Sequence, residues 1–546
     1  MDRREFIKSL AASGLFAGAA GVGCSGGPSA GNDGAGRGSS APGTAPSAGP
    51  WGAVPKGADH ALLPAERQPE GMLEIFMLGG ASPWETFYTV PEFCDPSAGG
   101  PYAGQQWWSF QEGGETNVAD WFSSCGPGSM PLFEPFAADS EGVTINLGPF
   151  IHPLRSRPDI LARMRVWVMS HQVEPHAIAI PLAVAGHGVS NPRMTGFGTH
   201  IQRHFGDRSG REAPFSYTIY MSSFDRSNNG AAATALGLHP SSAQPVALQL
   251  GPDPRLPRQL PRPGAGGHKT QLDALVDYYE NRFSRRLSYA DGTMLRSSGF
   301  RSHASARQAM KGHQALVDLL PSEFFELAEI TLCSPDPMNF DSVPVYTAVD
   351  ETTAAIGLAR HLLTAGDNAA RYVQVMDAGI YTDPAGQGYD SHAEHVLQQG
   401  PNLSHMCEQL VGIINRPGEE DPTKLDLDRH FVLLNTEFGR APVPEITPAN
   451  PRGAGSNHWP WGYVVVGFGG FVDEERAGVV GAIGENSYAI SAASPTDHRA
   501  AMLLAMGVWP FSETSFAIGE IQGMTDSSTQ LDAALKIRGD ILGYSA

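Results

Sequence analysis

Short apolar runs, each the length of one strand, alternate along this chain with stretches of helical spacing, and few architectures accommodate that alternation. The first run, Leu73-Glu74-Ile75-Phe76-Met77-Leu78, is closed by Gly79-Gly80 and reads as a buried strand. Similar runs recur at 166–169, 372–376, 431–434 and 463–466, with helical patterns at about 176–186, 270–320, 350–365, 393–415 and 497–507. The pattern predicts an α/β layered fold, in which ligands collect at the carboxyl ends of the strands. Residues just after each run therefore carry the most weight.

Composition narrows the class further. The 546 residues include 64 Gly and 43 Pro, which predicts long irregular connections and argues against coiled coils, solenoids and extended bundles. With 37 Lys or Arg against 57 Asp or Glu, the net charge of −20 excludes a general binder of nucleic acid or anionic membranes. A basic stretch, from Arg282 through Arg285, Arg286, Arg296, Arg301 and Arg307 to Lys311, stands against that background. It reads as a solvated helix face or as a cap over an anionic substrate.

The amino-terminal segment reads as an address. Asp2-Arg3-Arg4-Glu5-Phe6-Ile7-Lys8 has the arginine pair of a twin-arginine export signal, and a weakly apolar run follows from Leu10 to Val22, too short to span a bilayer. Residues 1–24 are expected to be the signal, with Cys24 placed as a lipoprotein cleavage site would place it. Residues 25–70, rich in Gly, Ser, Ala and Pro, are expected to form a flexible linker. Export to the periplasm or cell envelope follows, with membrane attachment by lipid at Cys24 as the accompanying expectation. Cys94, Cys125, Cys333 and Cys407 contain no C-x-x-C, so buried thiols and a Cys94–Cys125 bridge are expected rather than a cysteine metal site.

Histidines and carboxylates gather where the fold would place a site. Tyr389-Asp390-Ser391-His392-Ala393-Glu394-His395 feeds a helical pattern. His392 and His395 in its first turn would share a face, a geometry suited to one divalent metal. The alternative is a helix cap at Asp390 with packed or solvated histidines. Glu437, after the run at 431–434, is a ligand candidate or a partner that holds an imidazole. Arg440 is a two-pronged donor for phosphate or sulfate, or a structural ion pair. His458 precedes the run at 463–466, and Ser82 and Glu85 follow the first run. Glu174-Pro175-His176 opens a helix, which makes His176 a nucleophile, base or ligand, or simply a helix-entry residue. Thr496-Asp497-His498 reads as an amino cap, with Asp497 favoured by the helix dipole.

Carrying Gly79-Gly80-Ala81-Ser82-Pro83-Trp84-Glu85, Leu358-Ala359-Arg360-His361, Tyr389-Asp390-Ser391-His392, Glu437-Phe438-Gly439-Arg440 and Asn457-His458-Trp459-Pro460, the chain resembles the domain of unknown function 1501 family of the alkaline-phosphatase and sulfatase-like superfamily. The resemblance implies a three-layer α/β/α sandwich over 71–525, with irregular insertions, chiefly at about 205–345, and a C-terminal helix or tail at 526–546. It implies a metal held by Asp390, His392 or His395, and His458. A second metal would need Glu437 and Glu85, at positions where the superfamily carries other residues, and His176 stands where its nucleophile would. Asn457 replaces an acid the family often has, and Cys333-Ser334-Pro335-Asp336-Pro337 lacks the features of a sulfatase cysteine motif.

The leading expectation is a metal-dependent hydrolase of phosphate or sulfate esters acting on an anionic small molecule or glycan. His176, Arg440 and Ser82 are its catalytic candidates; Asp390, His392, His395, Glu437, His458 and Glu85 are its metal candidates. Zinc is the expected ion, with manganese or calcium as alternatives. The alternative function is a non-catalytic surface protein of the same fold that binds a sulfated or phosphorylated polymer. No dinucleotide, haem or iron–sulfur motif supports an exported oxidoreductase.

Overall fold

Apolar strands buried on both faces build the centre of the molecule. Strand β1 (Gly71–Met77) is buried at every position, as are β2 (Met164–Met169), β3 (Ser216–Tyr220), β5 (Tyr372–Asp377), β6 (His430–Asn435) and β9 (Tyr463–Gly469). Continuous burial of this kind marks strands covered on both sides. With edge strands β4 (Val246–Gln249) and β10 (Gly478–Val480) they form one eight-stranded sheet in the order β10-β2-β9-β6-β1-β5-β3-β4. This computed structural model describes residues 52–94, 108–110, 117–189, 195–206, 211, 213–221, 245–250, 271, 274–275, 277–279, 282, 313–333, 345–380, 388–392, 394–446, 454–512 and 515–544.

The sheet is mixed. β1 lies parallel to β6 and β5, and β5 to β3. β9 runs against both β6 and β2, so β2 points the same way as β1. The chain therefore leaves β1, β2, β5 and β6 at one edge of the sheet, and β9 enters there. A hairpin of β7 (Gly439–Glu445) and β8 (Gly455–Trp459) stands on the same edge, between β6 and β9.

Helices α1 (His176–Ala185), α2 (Glu351–Leu363), α3 (His395–Gly412), α4 (Pro495–Ala505) and α5 (Gln530–Asp540) cover the sheet and carry the site. Leu73, Ile75, Val375 and Leu434 share one core with Leu358 and Leu362 of α2 and Met406 and Leu410 of α3. Met72, Leu433, Trp167 and Val465, on the other face, share a second core with Ala501 and Leu504 of α4 and Ala534 and Ile537 of α5. Each large apolar side chain so enclosed contributes about 1.5–3 kcal/mol. One charge interrupts this second face. Glu74 of β1 is fully buried against Arg499 of α4, which reaches both carboxylate oxygens, while Tyr372 Oη and Asn435 Nδ2 also donate to it at 2.6 and 3.0 Å.

Several expectations change. The stretch at 205–345 is not only an insertion, because β3 and β4 within it complete the sheet. Cys125 pairs with Cys333 rather than with Cys94: their Cα atoms are 5.6 Å apart, within bridging reach, which joins the helix Val118–Cys125 to the strand Glu329–Cys333. The cap of α4 is Ser494, whose hydroxyl accepts from Asp497 N; Asp497 is instead buried in the first turn and accepts from Gln522 N. The C-terminal segment is helical and packs into the core. The export signal, Cys24 and residues 25–51 of the expected linker lie outside the described residues, as does the basic stretch beyond Arg282, whereas residues 52–70 are no flexible linker: Ala58, Ala61 and Leu63 are buried in the second core and Gly52 O accepts from Trp509 N. Among the described residues no helix is long and apolar enough to cross a membrane.

Candidate metal centre

Four side chains converge at the shared strand edge. His176, Asp390, His392 and His458 each offer a ligand atom, and these atoms lie within 4.8 Å of one another. His176 opens α1, shortly after β2; Asp390 and His392 come from the turn that follows β5; His458 lies on β8. The hairpin register sets Arg440 directly opposite His458. Gly79 completes the arrangement: it has φ +118, and a Cβ there would meet Asp390 N at 2.2 Å, so only glycine lets the β1 turn approach the Asp390 loop this closely.

The outer nitrogens of two imidazoles are held by carboxylates. His176 Nδ1 donates to Glu437 Oε1 at 2.7 Å, and His392 Nδ1 to Glu445 Oε2 at 2.6 Å. With that tautomer, assigned from the network, both Nε2 atoms turn lone pairs toward the cluster. His392 Nε2 lies 3.1 Å from His458 Nε2 and 3.0 Å from Asp390 Oδ1, and His458 Nε2 lies 3.4 Å from Asp390 Oδ1. His176 Nε2 is buried 3.3 Å from Asp390 Oδ2 without hydrogen-bond geometry. Donors on one tetrahedral zinc stand about 3.3 Å apart, given metal–ligand distances of about 2.0–2.1 Å. The cluster therefore has the spacing, the donor set and the orphaned nitrogen that a shared divalent ion would satisfy. Carboxylates behind ligating imidazoles complete that pattern.

Charge points the same way. Before the imidazoles are counted, Asp390, Glu437 and Glu445 oppose the single guanidinium of Arg440, an excess of two carboxylates. Burial opposes ionisation of Asp390, yet Arg440 and the three imidazoles hold its carboxyl far below the usual range. Burial would lower His176, but Asp390 and Glu437 outweigh it and push it up to about 9. Asp390 also raises His392, whereas burial lowers His458. The two negative charges call for two imidazolium protons or one divalent ion.

The other expected residues stand around the cluster or apart from it. Glu437 acts behind His176 and also accepts from Gly79 N at 2.8 Å. Arg440 is fully buried and donates to Gly79 O, Gly80 O, Ser456 O and Asp390, so it orients Asp390 and faces no open space for a substrate anion. His392 and His395 do not share a helix turn, because α3 begins only at His395. His395 instead points inward, 3.2 Å from Glu85 Oε1, with Ser391 Oγ at 2.9 Å from its Nδ1. Ser82 is buried beside Glu85. These groups pin the Asp390 loop from below: Gln399 Nε2 donates to Tyr389 O and Gly80 O at 2.6 and 2.9 Å. Glu445 escaped the sequence reading; its place on the strand that starts with Gly439-Arg440 is the signal that leads to it. Phe438 stacks on His458 with centroids 4.3 Å apart and closes one side of the cluster. The side chains of His176 and His392 keep 29% and 28% of their surface exposed, which leaves another side open.

Fold and site together define a mixed α/β protein with three imidazoles and a carboxylate gathered where its strands end. A model of the family described as "Protein of unknown function (DUF1501)" matches residues 71–535, and the chain belongs to that family. No curated protein matches it.

Proposed function

We infer that the chain is a metal-dependent hydrolase of phosphate or sulfate esters on an alkaline-phosphatase-like α/β/α sandwich, exported by the twin-arginine route. The observation that carries this reading is the convergence of His176, Asp390, His392 and His458 at one strand edge with an open side. These four residues would hold the ion, zinc first by donor type. An ion held by these four residues would polarise an ester oxygen or acidify a water by taking one further oxygen ligand. Glu437 and Glu445 fix the imidazole tautomers, and Arg440 orients Asp390 without touching substrate. The amino end of α1, where His176 sits, adds a partial positive charge that favours an anionic ester. The disulfide Cys125–Cys333 fits an oxidising compartment, which supports export to the periplasm, with Cys24 as the proposed lipid anchor.

Elemental analysis of protein folded in an exporting bacterial host tests this. About one divalent ion per chain is expected, with turnover on a panel of phosphate and sulfate esters that falls by about 100-fold in His458→Ala. Less than about half an ion per chain removes the basis of the reading. The burial of Ser82 and Arg440 favours one alternative, a non-catalytic member that binds a phosphorylated or sulfated polymer. A metal-loaded protein without turnover on the panel would support it.

A further inference from the structure

Beside the cluster, three aromatic rings are packed into a rigid rim. Trp459 and Trp461 flank Pro460 in the turn from β8 to β9, and Tyr488 comes from the hairpin pairing Ala482–Ile483 with Ala489–Ser491. Trp459 lies 4.9 Å from both Trp461 and Tyr488, with ring planes at 80° and 67°, and Trp461 lies 5.8 Å from Tyr488. Both indole N–H groups are committed, Trp459 to Ser487 O at 2.7 Å and Trp461 to Gln172 Oε1 at 3.3 Å. The ring orientations are therefore set in advance. Tyr488 is 36% exposed and the neighbouring Ile490 61%.

The backbone beneath is held in a conformation that residues other than glycine seldom adopt. Ser487 has φ +63, the only positive φ at a non-glycine among the described residues, and it aims its carbonyl at Trp459. Such strain persists where the surroundings impose it, and it is concentrated at functional sites. The rim is continuous with the candidate centre: Trp459 follows His458, and Pro460 O accepts from His171 N, five residues before His176.

Geometry and charge select the ligand. Rings whose centroids are 4.9 Å apart touch one another and leave no gap for an ammonium group, which excludes an aromatic cage. What they offer is the outer side of the rim, where Tyr488 is exposed and Gln172, whose Oε1 accepts from Trp461, carries an amide NH2. An aromatic face covers the C–H side of a sugar ring while amides take its hydroxyls. None of Trp459, Trp461, Tyr488, Gln172 and Asn457 is a cation, so the rim itself offers nothing to pair with an anionic group. We propose that Trp459, Trp461 and Tyr488 form a subsite for an uncharged pyranose ring, which makes the ester substrate of the adjoining centre a modified glycan. The glycan-ester part rests on the hydrolase reading, while the sugar subsite stands without it.

The test is titration calorimetry of the whole chain with short uncharged oligosaccharides of glucose, xylose and N-acetylglucosamine. At least one should bind, about tenfold more weakly to Trp461→Ala and to Tyr488→Ala, with Tyr488→Phe close to wild type. Both alanine variants should keep the wild-type metal content and melting temperature, and His458→Ala should still bind sugar. Absence of binding to every oligosaccharide, or unchanged binding in both alanine variants, overturns the subsite. Sugar binding by a protein that takes up no metal retains the subsite and rejects the hydrolase.

Discussion

His498 shows how far a side chain's surroundings decide its chemistry. It is enclosed on α4, edge-on to Trp167 at 5.0 Å, and burial, reinforced by the Arg499 charge, pushes its pKa down to about 3. The ring is neutral in the folded protein, whereas in the unfolded chain it takes up a proton below about pH 6.5. Its contribution to stability is complete above that pH and is lost as pH falls toward 3, by about 1.4 kcal/mol per pH unit. Urea unfolding at a series of pH values should show His498→Phe reducing the acid slope by about that amount between about pH 6 and pH 4. An unchanged slope would show that the ring is not buried neutral. In sequence, His498 and His392 each follow an aspartate at the start of a helical pattern. The residues that separate them, Trp167 in one case and Asp390, Glu445 and His458 in the other, are distant in the chain or ambiguous in role. Asp390 and His392 were legible because an acid and imidazoles come between a strand-like run and a helical pattern, and His458 because it shortly precedes another run. Arg440 was legible as important, but its burial, and with it its role as a support for Asp390, was not.

Elements position the centre through their ends. The glycine pair after β1 was visible as a strand stop, yet its contact with the Asp390 loop depends on a chain segment more than 300 residues away. Gly79→Ala is expected to destabilise the fold by at least about 3 kcal/mol, since a positive φ and a backbone clash add. It should also lower metal retention, measured by unfolding and by elemental analysis on the same preparation. A variant with native stability and metal content would show that the turn tolerates a side chain. Helix α3 carries the opposite lesson. Its periodicity was evident, but it starts three residues later than a shared turn for His392 and His395 requires. That offset turns His395 into the Glu85 core and leaves His392 in the cluster. Local spacing cannot fix a helix start that depends on Ala454 O accepting from His395 N.

Across the whole molecule, the sheet is tied to its second core through Glu74 and Arg499, an ion pair at the level of the central strand. Removing one partner leaves an unpaired buried charge. Glu74→Gln should cost about 3–5 kcal/mol in urea unfolding, and Glu74→Leu with Arg499→Met should recover most of that loss. Equal losses in the single and double variants would show that the pair does not act as a unit.

Five strand segments, the α/β class and the histidines and carboxylates near their ends were legible in the sequence, because apolar periodicity and strand-end polarity are local properties. Family membership extends those readings over residues 71–535. That β3 and β4 join the sheet, that Cys125 meets Cys333, and that His176 joins the cluster while His395 leaves it emerges only from the folded chain. Each of these depends on which distant segments share a few ångströms, and spacing along the chain carries no information about that.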